Sequence, residues 1–191
     1  MINLEKYSII LASQSPRRQH LLKDMGFKFS VIVSDIEEIY PDNLSIREIP
    51  VYLAELKAKS LLSQLENNEL IISADTIVAI DNHVLGKPID EADAYKILKM
   101  ISGNMHQVIT GVCLKSRFKQ KSFYAESNVF FRTLTDEEIN YYIKNFKPYD
   151  KAGAYGIQEW IGYIGIERIE GSYFNVMGLP TQLLYKELMN F

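Results

Sequence analysis

The chain has 191 residues, of which 47% are apolar and 24% charged, and its formal net charge is −3. That length suggests one domain, with room for two lobes, and the composition excludes a disordered tail, a collagen-like chain and a charge-rich coiled coil. Acidic balance argues against holding nucleic acid by bulk charge, but it leaves room for a local basic pocket for a small anion. In chain order, Tyr7 to Ala12 reads as a short buried strand. Pro16 then stands where a first helical residue belongs, with Ser15 as N-cap. That helix should run to about Met25, with Gly26 beyond its end. Residues 28–34 read as a second strand, carried by Phe29, Val31, Ile32 and Val33.

Ala54, Ala58, Leu61, Leu62 and Leu65 recur at helical spacing, so an amphipathic helix is expected there, with Pro50 preceding its first turn. Leu70 to Ala74 reads as a third strand. Residues 77–80 and 83–85 read as a hairpin extending from it, turning at Asp81-Asn82. Ala94, Ile97, Leu98 and Ile101 form one helical stripe, and Ile139, Tyr142, Ile143 and Phe146 another. Thr135 and Glu138 fit a capping box for the latter. Two long strands are expected at 105–116 and 121–132, a further strand at 162–170, and a closing helix from Leu179 with Pro180 at its start. The elements imply an α/β fold with a mixed, twisted sheet and flanking helices.

Several chemistries drop out by inspection. Gly86-Lys87 is followed by Pro88 and lacks the upstream glycine of a phosphate-binding P-loop. No G-x-G-x-x-G, C-x-x-C or H-E-x-x-H segment occurs, and no serine lies in a nucleophile elbow. The lone Cys113 rules out an intramolecular disulfide and fits a reducing compartment. No stretch approaches the roughly 20 apolar residues of a membrane span. Glu5 and Lys6 interrupt any leader-like apolar region, so a cytoplasmic protein without a membrane partner is expected.

Ser13-Gln14-Ser15-Pro16-Arg17-Arg18 follows a strand and opens a helix. A helix start carries free N–H groups and about half a positive charge. Two hydroxyls and two guanidinium forks added there suit a phosphate; the plainer alternative is a capped helix with solvated arginines. Asp75, at the polar end of an apolar run, can hold a metal or activate a water, or simply start a turn. Lys57 lies at the edge of an apolar stripe. It either reaches over a cleft or covers apolar surface with its stem. Lys87 sits on a rigid turn that would aim a cation, or is solvated there. Glu37-Glu38 can supply a metal-binding carboxylate or a polar loop. In the small-residue stretch Asp150 to Gln158, glycines allow close backbone approach and Gln158 can read a base edge through two hydrogen bonds; otherwise the stretch is a loop packed on the core.

Taken together these segments resemble the Maf family of nucleotide pyrophosphatases, also called septum formation inhibitors. Leu11-Ala-Ser13-x-Ser15-Pro-Arg17-Arg18 is similar to the family's opening signature. Ser34-Asp-Ile-Glu-Glu38, Leu53-Ala-x-x-Lys57-Ala58, Ala74-Asp75-Thr76-Ile-Val78 and Gly86-Lys87-Pro88 follow in the family's order. Ser102-Gly103-x-x-His106-Gln-Val-x-Thr110-Gly111, Asp150 to Gln158 and Gly171-Ser-Tyr-x-Asn175-Val-x-Gly-Leu-Pro180 complete it. The resemblance covers nearly the whole chain and implies one Maf-like domain, residues 1–191, with two lobes around a nucleotide-binding cleft, like the inosine triphosphatases.

It further implies hydrolysis of a nucleoside triphosphate to the monophosphate and pyrophosphate with a divalent cation, Mg2+ or Mn2+. By motif, Asp75 would be the proton acceptor and share the metal with Glu38. Ser13, Ser15, Arg18, Lys57 and Lys87 would bind phosphates. Arg17, Thr76 and Gln158 match the specificity set of the dTTP/UTP branch, whereas the 7-methyl-GTP branch differs at the first two. A homodimer is implied as well. Glu159-Trp160 depart from the pattern, since many relatives have glycine after the glutamine, and this bears on base preference. Competing readings are a nucleotide-sensing regulator of cell division without turnover and the same reaction on another base. A single-strand nucleic-acid binder is disfavoured by the acidic charge and by the lack of interleaved basic and aromatic runs.

Overall fold

The computed structural model describes residues 7–33 and 35–191. The chain opens with β1 (Ser8–Leu11), α1 (Pro16–Asp24) and β2 (Phe29–Val31), followed by α2 (Glu48–Ser60). Next come β3 (Glu69–Ile80), β4 (His83–Leu85), α3 (Glu91–Ile101), β5 (Met105–Lys115) and β6 (Gln120–Phe131). The remainder is α4 (Asp136–Phe146), α5 (Trp160–Gly165), β7 (Ile166–Glu170), α6 (Tyr173–Val176) and α7 (Thr181–Met189). The strands form one seven-stranded mixed sheet in the order β2-β1-β3-β5-β6-β7, with β4 paired to β3. β1 runs parallel to β2 and β3, whereas β4 on β3 and β7 on β6 are antiparallel. The fold is therefore α/β with a mixed sheet and flanking helices, as expected.

Two compact units divide the chain. One holds the described residues up to Asp75 with Thr110–Ala125 and Gly178–Phe191; the other holds Thr76–Ile109 and Glu126–Met177. In the first, Ile10, Ala12, Ala54, Ala58, Leu61, Ile71 and Cys113 form an apolar cluster. Gly111 of β5 lies against the α2 backbone, so a Cβ there would stand 2.3 Å from the carbonyl carbon of Pro50. No side chain fits that approach. The second unit has its own core, in which α3 and α4 bury Leu98, Ile101, Ile139, Tyr142 and Ile143 beside Val129 and Phe131.

Local signals survive where the chain can satisfy them locally. Thr135 and Glu138 form the full capping box of α4. Asp81 and Asn82 both adopt positive φ, 47° and 64°, as a two-residue hairpin of this hand requires. Four expectations change. Pro50 is the third residue of α2 rather than a flank; in the first turn its missing N–H costs nothing. The same helix ends at Ser60, and a 3-10 turn over Leu62–Gln64 carries the chain on toward Leu65. The third strand and the hairpin's first arm are one strand of 12 residues. The strand expected over 162–170 begins only at Ile166, because 160–165 is helical. The backbone folds back closely there: a Cβ at Gly162 would come within 2.0 Å of the Ile157 carbonyl oxygen, five residues upstream, so only glycine fits. A fifth expectation also changes: the second strand is Phe29–Val31 rather than 28–34, since Lys28, Ile32 and Val33 lie outside it, and Ser34 lies outside the described residues. Among the described residues no helix is long and apolar enough to cross a membrane.

Candidate active site

The start of α1 is built around Arg18 rather than around a capped serine. Ser15 occupies the N-cap position, but its side chain makes no capping bond. The buried Ser13 hydroxyl instead accepts from the Ser15 N–H at 3.2 Å and from Arg18 Nη1 at 3.4 Å. Arg18 Nη1 also donates to the Ala74 carbonyl at 2.8 Å, and Nε donates to the Gly178 carbonyl at 2.7 Å. The guanidinium is therefore fixed from three sides, which removes the entropy a free arginine would lose on gripping a ligand. Burial pulls its pKa below the usual value, Asp75 and Glu38 push it back up, and Arg17 pulls it down. An arginine remains charged throughout.

Lys57 is the centre of the second group. It sits on α2 and is 9% exposed. Its Nζ donates to Asp75 Oδ1 at 2.5 Å and pairs with Glu38 Oε1 at 2.7 Å. The reading of Lys57 as a stem laid over apolar surface does not hold, because the ammonium itself is buried and paired. Asp75 is equally buried, at 7% exposure. It is the seventh residue of β3, inside the strand, so it neither starts a turn nor ends a strand. A buried carboxylate in a strand interior would be costly without a partner. Lys57 supplies that partner, and Glu38 balances Lys57 in turn.

Asp75 closes the first unit's portion of β3, and Thr76 opens the second unit's. Arg17 and Thr76 are partly exposed, and Lys87 is exposed on the turn after β4. Gln158 lies between a 3-10 turn at Ala152–Ala154 and α5, partly exposed, with Oε1 buried and lacking a hydrogen-bond partner among the described residues. The first unit thus gathers Ser13, Arg18, Glu38, Lys57 and Asp75 through direct contacts. Thr76, Lys87 and Gln158 belong to the second unit.

Among the described residues no group of three or more His, Cys, Asp or Glu side chains converges as a metal cage. Two carboxylates, Asp75 and Glu38, do meet at one nitrogen. Sequence reasoning passed over a second charged group, formed by Lys151, Glu159 and Tyr142. Lys151 Nζ contacts Asp150 Oδ1 at 2.7 Å and Glu159 Oε1 at 3.1 Å. The Tyr142 hydroxyl donates to Glu159 Oε2 and accepts from the Gly156 N–H at 3.0 Å. The charges of Lys151 and Glu159 are visible in the sequence, but nothing local there shows that they meet. His106 appears in the sequence only as part of a family segment with no role attached; its Nε2 lies 2.8 Å from the Tyr155 hydroxyl.

A sheet that opens with parallel strands and carries flanking helices defines a protein of the α/β class. The family model described as Maf-like protein matches residues 8–191, and the chain belongs to that family. A dTTP/UTP pyrophosphatase of Phocaeicola vulgatus is 58% identical over 187 residues, covering 97% of this chain and 97% of the relative. A protein of the same name from Parabacteroides distasonis is 54% identical, covering 99% of this chain and 98% of the relative. Another, from Flavobacterium johnsoniae, is 50% identical over 97% of this chain and 95% of its own. A solved structure of the Staphylococcus aureus Ham1 protein shares 16% identity over 65% of this chain and 71% of its own, with a TM-score of 0.37. The fold assignment rests on the strands themselves and not on that likeness.

Proposed function

We propose that this protein hydrolyses nucleoside triphosphates to the monophosphate and pyrophosphate, with dTTP and UTP as substrates. The observation that carries the reading is the Lys57 ammonium set between Asp75 and Glu38. Cationic and anionic groups on one spot suit a polyanion that arrives with a cation, and phosphoryl chemistry is mostly positioning and charge. The names of the curated relatives support the same reaction and the same bases.

Asp75 and Glu38 fit a divalent cation, since carboxylate oxygens are hard ligands suited to magnesium or manganese. Those ions commonly take one or two carboxylates and complete their shell with phosphate and water. Such a cation, when bound, neutralises phosphate charge and lowers the pKa of water. The chain's own residues do the rest. Arg18, Ser13, Ser15, Lys57 and Lys87 hold the phosphates. Asp75 orients a water toward the α-phosphorus and takes its proton. Pyrophosphate then leaves with its charge held by the lysines and the helix start. Arg17, Thr76 and Gln158 select the base. The same reading takes the protein as a homodimer in the cytoplasm, supported by the family resemblance and, for the compartment, by the single buried Cys113.

Pyrophosphate release from dTTP, UTP, CTP, dGTP, ITP and 7-methyl-GTP, with magnesium or manganese, tests this beside Asp75→Asn. Selective release from dTTP and UTP is expected. The variant should lose turnover by about a thousandfold, the scale of a lost general base, with an unchanged circular dichroism spectrum. Tight nucleotide binding without release from any of the six would replace the enzyme with a nucleotide sensor.

A further inference from the structure

The second unit holds a closed hydrogen-bonded ring whose purpose the phosphate chemistry does not explain. Residues 156–159 form a turn in which the Glu159 N–H donates to the Gly156 carbonyl at 3.0 Å. Tyr142, reaching in from α4, ties the same two residues a second time, accepting from the Gly156 N–H and donating to the Glu159 carboxylate. Lys151 holds the other carboxylate oxygen, and its side chain is only 8% exposed. The carboxylate packs so closely on the turn that a Cβ at Gly156 would lie 2.7 Å from Glu159 Cδ. Burial and the neighbouring carboxylate both raise the Tyr142 pKa, so the hydroxyl keeps its proton and stays a donor.

Gln158 lies with Ile157 in the turn that this ring closes. Its Oε1 is buried and has no hydrogen-bond partner among the described residues. A buried acceptor left unsatisfied costs free energy that a donor on a ligand recovers. The imide N3–H of thymine or uracil is such a donor. Cytosine places an acceptor at the same ring position, so two acceptors would face each other. That difference gives discrimination only if the carboxamide cannot turn away, and the turn carrying it is held on both sides.

We propose that Glu159, locked by Tyr142 and Lys151, is a positioning residue that aims the Gln158 carboxamide at the imide edge of a thymine or uracil base. The assignment rests on the pyrophosphatase reading for the choice of base and deepens it.

The test measures kcat and KM for dTTP and dCTP in the wild type, Tyr142→Phe, Glu159→Ala and Glu159→Gln, with thermal melting of each. In parallel, dTMP and dCMP are titrated against emission of Trp160, the chain's one tryptophan, which sits next to Glu159 with its ring 4.8 Å from Tyr141. Loss of one aligned hydrogen bond should raise the dTTP KM about tenfold in Tyr142→Phe and Glu159→Ala, leaving dCTP little changed. Glu159→Gln, which still accepts from Tyr142, should restore most of the preference. Equal losses on both nucleotides with a lowered melting point would make the ring merely structural and overturn the proposal. An unchanged preference in either folded variant overturns it too, as does a wild type that does not separate thymine from cytosine. A wild type that binds dTMP over dCMP yet releases no pyrophosphate defeats the proposed reaction alone. The monophosphate titrations then decide the positioning role by the same narrowing.

Discussion

Each unit of this protein buries a lysine between two carboxylates, and the two clusters do different work. In the first, Lys57 meets Asp75 and Glu38, whose side chains are 10% and 46% exposed. In the second, Lys151 meets Glu159 and Asp150, at 21% and 64%. The contrast lies in where the charges lead. Glu159 passes its second oxygen to Tyr142, which holds the Gly156 backbone, so that cluster ends in the main chain and fixes a turn. Asp75 and Glu38 instead come from a strand interior and a loop to share one ammonium beside the fixed Arg18. A charged triplet that terminates in backbone is scaffold. Under the proposed reaction, one that converges on an ammonium and a guanidinium would meet an anion and its counter-ion.

Replacing each lysine by methionine should separate the two roles most sharply. Lys57→Met should lower turnover by roughly a hundredfold or more, since two carboxylates are left facing a polyanion without compensation. Lys151→Met should spare the maximal rate on dTTP, narrow its preference over dCTP and lower stability by about 3 kcal/mol, because it strands Glu159 in a mostly buried place. Pyrophosphate release and urea unfolding on both variants check this. If the two variants lose activity and stability in the same proportion, the distinction between chemistry and scaffold collapses.

Tyr155, the residue before the turn held by Glu159, meets a buried histidine, and acid should act on stability through it. His106 lies against Phe131 and Tyr155, with ring centroids 5.6 and 5.3 Å away. Burial pushes its pKa down to about 4 from an ordinary 6.5. Below the unfolded value the unfolded chain binds a proton that the folded chain refuses, so stability falls as pH drops. The loss begins near pH 6.5, continues to about pH 4 and amounts to roughly 3 kcal/mol in all. Melting across pH 4–8 should show that slope, and His106→Gln, which has no titrating ring, should flatten it. An unchanged slope in the variant would place the acid sensitivity in the carboxylate clusters instead.

How far the sequence reveals these clusters depends on the distance over which each contact acts. The capping box of α4 and the Asp81-Asn82 turn are legible because every partner lies within three residues. Ser13, Arg18 and Asp75 are legible as types of residue in telling places. Lys57 is legible only as an edge position, because Asp75 is 18 residues away and the pairing depends on β3 lying beside α2. Asp75 itself reads as a strand end, since a carboxylate in an apolar run looks like an interruption until its lysine is seen. Tyr142 looks like one more apolar residue on a helical stripe. Its hydroxyl reaches Glu159, 17 residues on, through packing that no local pattern encodes. Part of the packing at the helix Trp160–Gly165 is hidden for the same reason, because Gly165 lies against Phe131, 34 residues before it.

The smallest expected effect comes from Gly156→Ala, and it tests the scaffold cluster without touching a charge. The added methyl would stand 2.7 Å from Glu159 Cδ and 3.0 Å from each carboxylate oxygen. Those atoms end a flexible side chain, so the carboxylate can retreat where a backbone could not. Retreat loosens its bonds to Tyr142 and Lys151 while leaving every ionisable group in place. Stability should fall by about 1 kcal/mol, the low end of overpacking costs. Preference for dTTP over dCTP should narrow by less than in Tyr142→Phe, and pyrophosphate release from dTTP should keep its maximal rate. An alanine that lowers the rate on both nucleotides without changing their ratio would show that the turn supports the fold and not the base. A ratio that narrows while the rate holds would mean that Glu159 acts through the position of its carboxylate and not through its charge.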